Sequence, residues 1–150
     1  MSQIYIEQSA VIDAPPDKVY GIIADYHEGH HAILPEPYFT GMTVEEGGTG
    51  AGTVIRVDMN VMGAKRSFHM DVIEPEPGRV ITETDRNTGQ STSFIIDPVD
   101  DGRQSHVTIA LDSQASPGFT GFMEKLLNPP ITRRIFKKEL AILAEYVRSH

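Results

Sequence analysis

The chain has 150 residues, a net charge of −8 and no cysteine. That length suits one domain, residues 1–150, which should bury roughly 68–70% of its unfolded surface around one core. The charge argues against a nucleic-acid partner, whose phosphates need a basic footprint, and the missing cysteines exclude disulfides, thiolate nucleophiles and zinc–thiolate sites.

Residues 3–13 (Q-I-Y-I-E-Q-S-A-V-I-D) alternate loosely and carry β-branched side chains, which predicts a strand. A-P-P-D-K-V-Y-G-I-I-A-D follows and predicts a short helix. Proline is tolerated in a first turn, Asp17 suits the positive helix end, and Val19, Ile22 and Ile23 make an i, i+3, i+4 stripe. Gly29 interrupts this helix, and Pro35 and Pro37 mark its end and a turn into a strand from about Phe39. From Thr53 the period becomes two: Ile55, Val57, Met59 and Val61 share one face, and Arg56, Asp58 and Asn60 the other, polar one. Met62-Gly63-Ala64 turns the chain, and Phe68, Met70 and Val72 continue the apolar face. E-P-E-P-G at 74–78 reads as a turn cluster. R-V-I-T-E-T-D, S-T-S-F-I-I-D and S-H-V-T-I-A-L-D then follow as evenly spaced strands, the last with Val107, Ile109 and Leu111 on one side.

The C-terminal segment is predicted to be helical. Ser116-Pro117 supplies a cap and a first-turn proline, and Phe119, Phe122, Met123, Leu126 and Leu127 form an apolar face. Asn128-Pro129-Pro130 must break or kink the helix, after which Ile131, Ile135, Leu140, Leu143 and Val147 resume the stripe. So many apolar positions, at roughly 1.5–3 kcal/mol each when fully buried, need a large partner, and the sheet is the available one. The expected fold is therefore α+β: a curved antiparallel sheet of six to seven strands around a long C-terminal helix, with two short helices after the first strand.

The stretches I-D-A-P-P-D-K-V-Y (12–20), G-A-G-T-V-I-R-V (50–57), E-P-E-P-G-R-V (74–80) and R-R-I-F-K-K-E-L-A-I-L-A-E-Y (133–146) occur in an order that resembles the START-like, helix-grip (SRPBCC) superfamily, which includes polyketide cyclases and lipid-transfer domains. The position after Val19, often tryptophan in that superfamily, is Tyr20 here. The resemblance implies a small hydrophobic or amphipathic ligand held between sheet and C-terminal helix, with no cofactor. The competing function is a polyketide cyclase or dehydratase using the same cavity. The expected lining is Ile33, Leu34, Ile55, Val57, Met59, Phe68, Met70, Phe94, Ile109, Phe119, Phe122, Met123 and Leu126.

Chemical candidates are sparse. E-E-G-G-T-G-A-G-T (45–53) leads into an alternating strand with no lysine nearby, so it reads as a hairpin turn rather than a phosphate loop. His27, His30 and His31 would share a helical face, but Gly29 lies among them and no H-E-x-x-H is present. They are expected to hold no metal and to form a gate, with Ile33 and Leu34 facing inward and His30 or His31 at the rim. For proton transfer the candidates are His30, Glu83 and Tyr38. Strand alternation puts Glu83 in the cavity if Ile81 points there, and facing solvent otherwise. The basic run Arg133 to Lys138 reads as a solvated helical face, with docking of an acidic protein partner as the lesser expectation. The N-terminus lacks the pattern of a signal peptide and no stretch approaches a membrane span, so the expected location is cytoplasmic.

Overall fold

Period-two patterning runs through most of the chain, and each alternating segment becomes a strand with its apolar side turned one way. The computed structural model describes residues 3–114 and 129–150. β1 (Gln3–Ile12), β2 (Phe39–Glu46), β3 (Val54–Val61), β4 (Ala64–Glu76), β5 (Val80–Asp85), β6 (Ser91–Val99) and β7 (Gln104–Gln114) form one sheet in the order β1-β7-β6-β5-β4-β3-β2. All its pairings are antiparallel. Strands β2 to β7 follow one another as hairpins, and β1 joins along β7, so the consecutive strands β1 and β2 form the two edges of the sheet. The sheet is curved, and its concave side receives the helices, as the helix-grip arrangement requires.

Helix α1 (Pro16–Ala24) begins with Pro16 in its first turn and carries Asp17 there, and it buries Val19, Tyr20, Ile23 and Ala24. Helix α2 (Gly29–Ile33) follows after a break. Gly29 is needed at that junction, because a Cβ there would lie 2.4 Å from the Ile22 carbonyl oxygen. Helix α3 (Pro129–Ser149) starts on the double proline and buries Thr132, Ile135, Phe136, Glu139, Leu140, Leu143 and Val147. Those positions trace one helical stripe, packed across β1 and α2. The helical segment expected before Pro129 lies outside the described residues.

The predicted faces of β3, β4 and β7 agree with the burial: Ile55, Val57, Val61, Phe68, Met70, Val72, Val107, Ile109 and Leu111 are all in the core. One boundary differs. E-P-E-P-G was expected to turn the chain, yet β4 runs through Pro75 to Glu76. A register shift between Ile73 and Glu76 accommodates the proline, which has no amide to give to the ladder. No helix among the described residues is long and apolar enough to cross a membrane.

Candidate functional site

A cavity of about 70 Å³ lies between the concave face of the sheet and α3. One water needs roughly 10–15 Å³ by the same kind of measure, so there is room for an organic group. Most of the wall is apolar: Phe39 and Met42 from β2, Ile55, Val57 and Met59 from β3, Phe68 and Met70 from β4, Phe94 from β6, Leu111 from β7, Leu34 after α2, and Ile135 and Phe136 from α3. Six polar side chains interrupt it: His30, Glu83, Gln90, Thr92, Thr132 and Glu139.

The polar side chains are placed by the fold's own geometry. On β5, Ile81, Glu83 and Asp85 alternate inward, and all three are buried. Glu83 pairs across the ladder with Thr92 and with Val72. Its Oε2 accepts from the Tyr26 hydroxyl at 2.8 Å and sits 3.0 Å from His30 Nε2. His30 Nδ1 lies 2.8 Å from the Ile23 carbonyl oxygen at the end of α1. A carbonyl only accepts, so Nδ1 carries a proton; Nε2 faces a carboxylate, which favours a second proton there. Burial by itself would push the His30 pKa down, but the Glu83 charge and hydrogen bond, with help from Glu139 and the Ile23 carbonyl, outweigh it and raise the pKa. The geometry thus favours an imidazolium–carboxylate pair. Tyr26 stacks on the imidazole at 4.3 Å, and Phe94 meets it edge-on at 5.2 Å. Burial, then the charge and hydrogen bond of Glu83, raise the Tyr26 phenol well above its usual value.

Glu139 faces this pair from α3 and is 3% exposed. Burial pushes its pKa up to about 8; the His30 charge opposes the shift and the Glu83 charge adds to it. At neutral pH its carboxyl is therefore mostly protonated. Among the described residues neither Glu139 Oε2 nor Gln90 Oε1 has a hydrogen-bond partner. Gln90 is held at the β5–β6 turn, where its backbone carbonyl accepts from the Asp85 amide at 2.8 Å. Asp85, although buried, is occupied structurally, accepting from the amides of His69 and Thr88 and from the Thr88 hydroxyl.

The sequence-predicted residues divide clearly. Leu34, Ile55, Val57, Met59, Phe68, Met70 and Phe94 line the cavity. Ile33 and Ile109 are buried in the surrounding core instead, away from the lining. Phe119, Phe122, Met123 and Leu126 lie outside the described residues. His30 and Glu83 meet, whereas Tyr38 does not join them: it is half-buried, with the Lys138 ammonium 5.8 Å from its ring centre. Of the two histidines of which one was expected at the rim, His30 is 2% exposed and lies inside the protein, whereas His31 is exposed. His27 and His31 remain exposed: His27 precedes the break at Gly29, and His31, the next residue on α2, points roughly 100° away from His30 around the helix. Among the described residues no group of three or more His, Asp or Glu side chains is arranged to hold a metal ion.

The glycine run is a hairpin connection between β2 and β3, as expected, but it has a further task. It folds against the end of α1, with the Tyr26 amide donating to the Gly48 carbonyl at 2.8 Å and the Gly50 amide to the Ala24 carbonyl at 3.0 Å. Gly48 has a φ of +146° and lies under the His27 ring, where a Cβ would meet Nε2 at 2.2 Å. This clasp holds the segment that carries Tyr26 and His30.

Sequence reasoning missed Tyr26, Gln90 and Glu139. Glu139 had a signal: it stands seven residues after Thr132, four after Ile135 and three after Phe136, within the apolar stripe. The adjacent Lys137 and Lys138 disguised it as part of a solvated charge run. Tyr26 and Gln90 lie in connections, where periodicity says nothing.

Comparison with known proteins places this architecture. The solution structure of the KanY protein superposes with a TM-score of 0.83 at 28% identity, over 99% of both chains. The ZhuI aromatase/cyclase from a Streptomyces species gives 0.74 at 20% identity, over 98% of this chain and 94% of that one. Norcoclaurine synthase from Thalictrum flavum, in complex with dopamine and hydroxybenzaldehyde, gives 0.73 at 13% identity, over 99% and 88%. No curated protein matches the chain. The family model described as polyketide cyclase/dehydrase and lipid transport matches residues 3–148, and with the helix-grip fold and its internal cavity already established, the chain belongs to that family.

Proposed function

We propose that the protein, acting as a single START-like domain over residues 1–150, binds a small apolar or amphipathic molecule between the sheet and α3. The observation that supports this reading is the composition of the cavity: apolar side chains from β2 to β7 surround a few polar atoms at fixed points, as in small-molecule sites generally. Met42, Met59 and Met70 suit such a wall because the thioether side chain repacks around different shapes. Native mass spectrometry of freshly purified protein tests it. The expected result is a copurified organic species released on denaturation, or saturable shifts of these three methionine methyl resonances on adding apolar probes. Protein that carries nothing and whose methionine methyls respond to no probe overturns the reading.

A second reading, an enzyme of the cyclase or dehydratase type, is favoured by the pairing of unlike groups around one space. His30 is held in its charged form by Glu83, while Glu139 carries a carboxyl whose pKa of about 8 suits proton exchange near neutrality. Ionised Glu139 would take a proton from the carbon between two carbonyls, the electron pair would move into an enolate, and the same carboxyl would return a proton. The same fold carries an aromatase/cyclase in ZhuI. Deuterium exchange into benzoylacetone in D2O, followed by NMR, is expected to be faster with the protein than in buffer and to return to the buffer rate with Glu139→Gln. Equal rates for both proteins remove the catalytic reading and leave the binding one intact.

A further inference from the structure

Resting on the cavity reading above, we infer that the molecule this cavity takes is uncharged and carries a hydroxyl or carbonyl group, and that the cavity turns away carboxylates and phosphates. Four features support this. Among the described residues, neither lysine nor arginine lines the cavity. The one basic side chain among its described lining residues, His30, is already held between the Glu83 carboxylate and the Ile23 carbonyl. Two carboxyl groups, Glu83 and Glu139, face the space from opposite walls: Glu83 already balances His30 and Glu139 is held neutral by burial, so an anionic head group would find no positive charge left to meet it in a setting that cannot hydrate it. Two polar atoms of the lining, Gln90 Oε1 and Glu139 Oε2, have no hydrogen-bond partner among the described residues, and each is on a side chain at least nine-tenths buried.

Those atoms specify the chemistry that would satisfy them. An amide oxygen accepts only, so it calls for a donor such as a hydroxyl. A neutral carboxyl donates to a carbonyl or hydroxyl oxygen and accepts at its other oxygen. An uncharged oxygen group therefore completes both without bringing in a charge, and a buried donor or acceptor left unmet is costly. Among the described residues, Arg66 is a cation to weigh against this. It lies over the Phe68 ring at 5.8 Å, but it belongs to the adjoining open groove with Asp58 and Ser67, beyond Met59, and it has interactions of its own.

The experiment compares 2-naphthol, 2-naphthamide and 2-naphthoate, which share one ring frame; the last two differ little in shape but differ in charge. Calorimetry at pH 7 reads affinity, and the methionine methyl resonances of Met42, Met59 and Met70 report where each probe sits. The expected result is binding of naphthol and naphthamide in the cavity, with naphthoate weaker than naphthamide by about 100-fold or more. If naphthoate binds in the cavity within about tenfold of naphthamide, the exclusion of anions is wrong and the cavity reading stands. If none of the three moves those methyls, the cavity reading itself fails and this inference falls with it.

Discussion

The two sides of the sheet use the same residue types to opposite effect. On the outer side, Arg86 forks onto Asp71 with two contacts of 2.8 Å, and Arg79 reaches Glu76 and Asp97, each at 2.6 Å. These groups stand in water, which solvates them whether paired or not, so their attraction is screened and their geometry adds little to stability. On the inner side, His30, Glu83 and Glu139 have lost that water. His30 and Glu83 now depend on each other: removal of either leaves a charge with nothing to hydrate it. Good geometry therefore says little about importance, and burial says much. The outer pairs decorate a surface, while the inner cluster sets the protonation states that a ligand meets.

The sharpest way to break this contrast is to remove Glu83. Glu83→Gln keeps the shape and the Tyr26 contact but takes away the charge that holds His30 protonated, and it is expected to cost roughly 3–5 kcal/mol in denaturant unfolding. The imidazole pKa, followed by NMR, should fall from its raised value, because burial is then opposed only by the smaller effects of Glu139 and the Ile23 carbonyl. His30→Ala is expected to cost a similar amount, with lost stacking on Tyr26 added to a stranded carboxylate. A cost no larger than that of an outer-side substitution would show that the pair is not tightly coupled.

Next in size is the dependence on pH. Glu139 binds a proton more tightly folded, at about 8, than unfolded, at about 4.5, so the folded state loses stability as pH rises between those values. His30 also has a raised folded pKa; its contribution is complete below about 6.5 and is lost as pH passes through the raised value. Both groups act in the same direction, and the protein should be more stable near pH 5 than near pH 8.5. Glu139→Gln should be close to wild type at pH 5 and more stable by a few kcal/mol, as an order of magnitude, at pH 8.5. Equal pH profiles for the two proteins would falsify the assignment of a buried neutral carboxyl.

Smallest of all should be the outer pairs. Arg86→Ala is expected to change the unfolding midpoint slightly in low salt and not measurably in 1 M salt. An effect of the same size as Glu83→Gln would erase the distinction between the two sides. Replacing the exposed Arg133 and Lys137 together should likewise leave stability and probe binding unchanged, as expected of solvated positions on α3.

Much of the fold was legible because it rests on periodicity. The inward faces of β3, β4 and β7 followed from alternation, and α3 from its stripe, since a backbone geometry repeats and the residues that fit it repeat with it. Pro75 shows the limit: proline argues for a turn locally, yet the neighbouring β5 holds the strand through a bulge. The site was legible to the same extent. The apolar wall at Ile55, Val57, Met59, Phe68 and Met70 came from strand patterns, whereas Tyr26 and Gln90 sit in connections that carry no period.

His30 and Glu139 mark the division between the two kinds of information. Sequence by itself determined that this chain would make a curved sheet with a helix packed on it, that its interior would be mostly aliphatic and Met or Phe, and that no thiol chemistry was available to it. Tertiary structure alone decided that His30 would leave its neighbours His27 and His31 at the surface and meet Glu83, 53 positions later in the chain, and that Glu139 would face both from the last helix. The reason is that a backbone pattern is local and repeats, while the state of a titratable group depends on how much water it has lost and which charges stand beside it. Those are properties of the assembled interior, and no single strand or helix contains them.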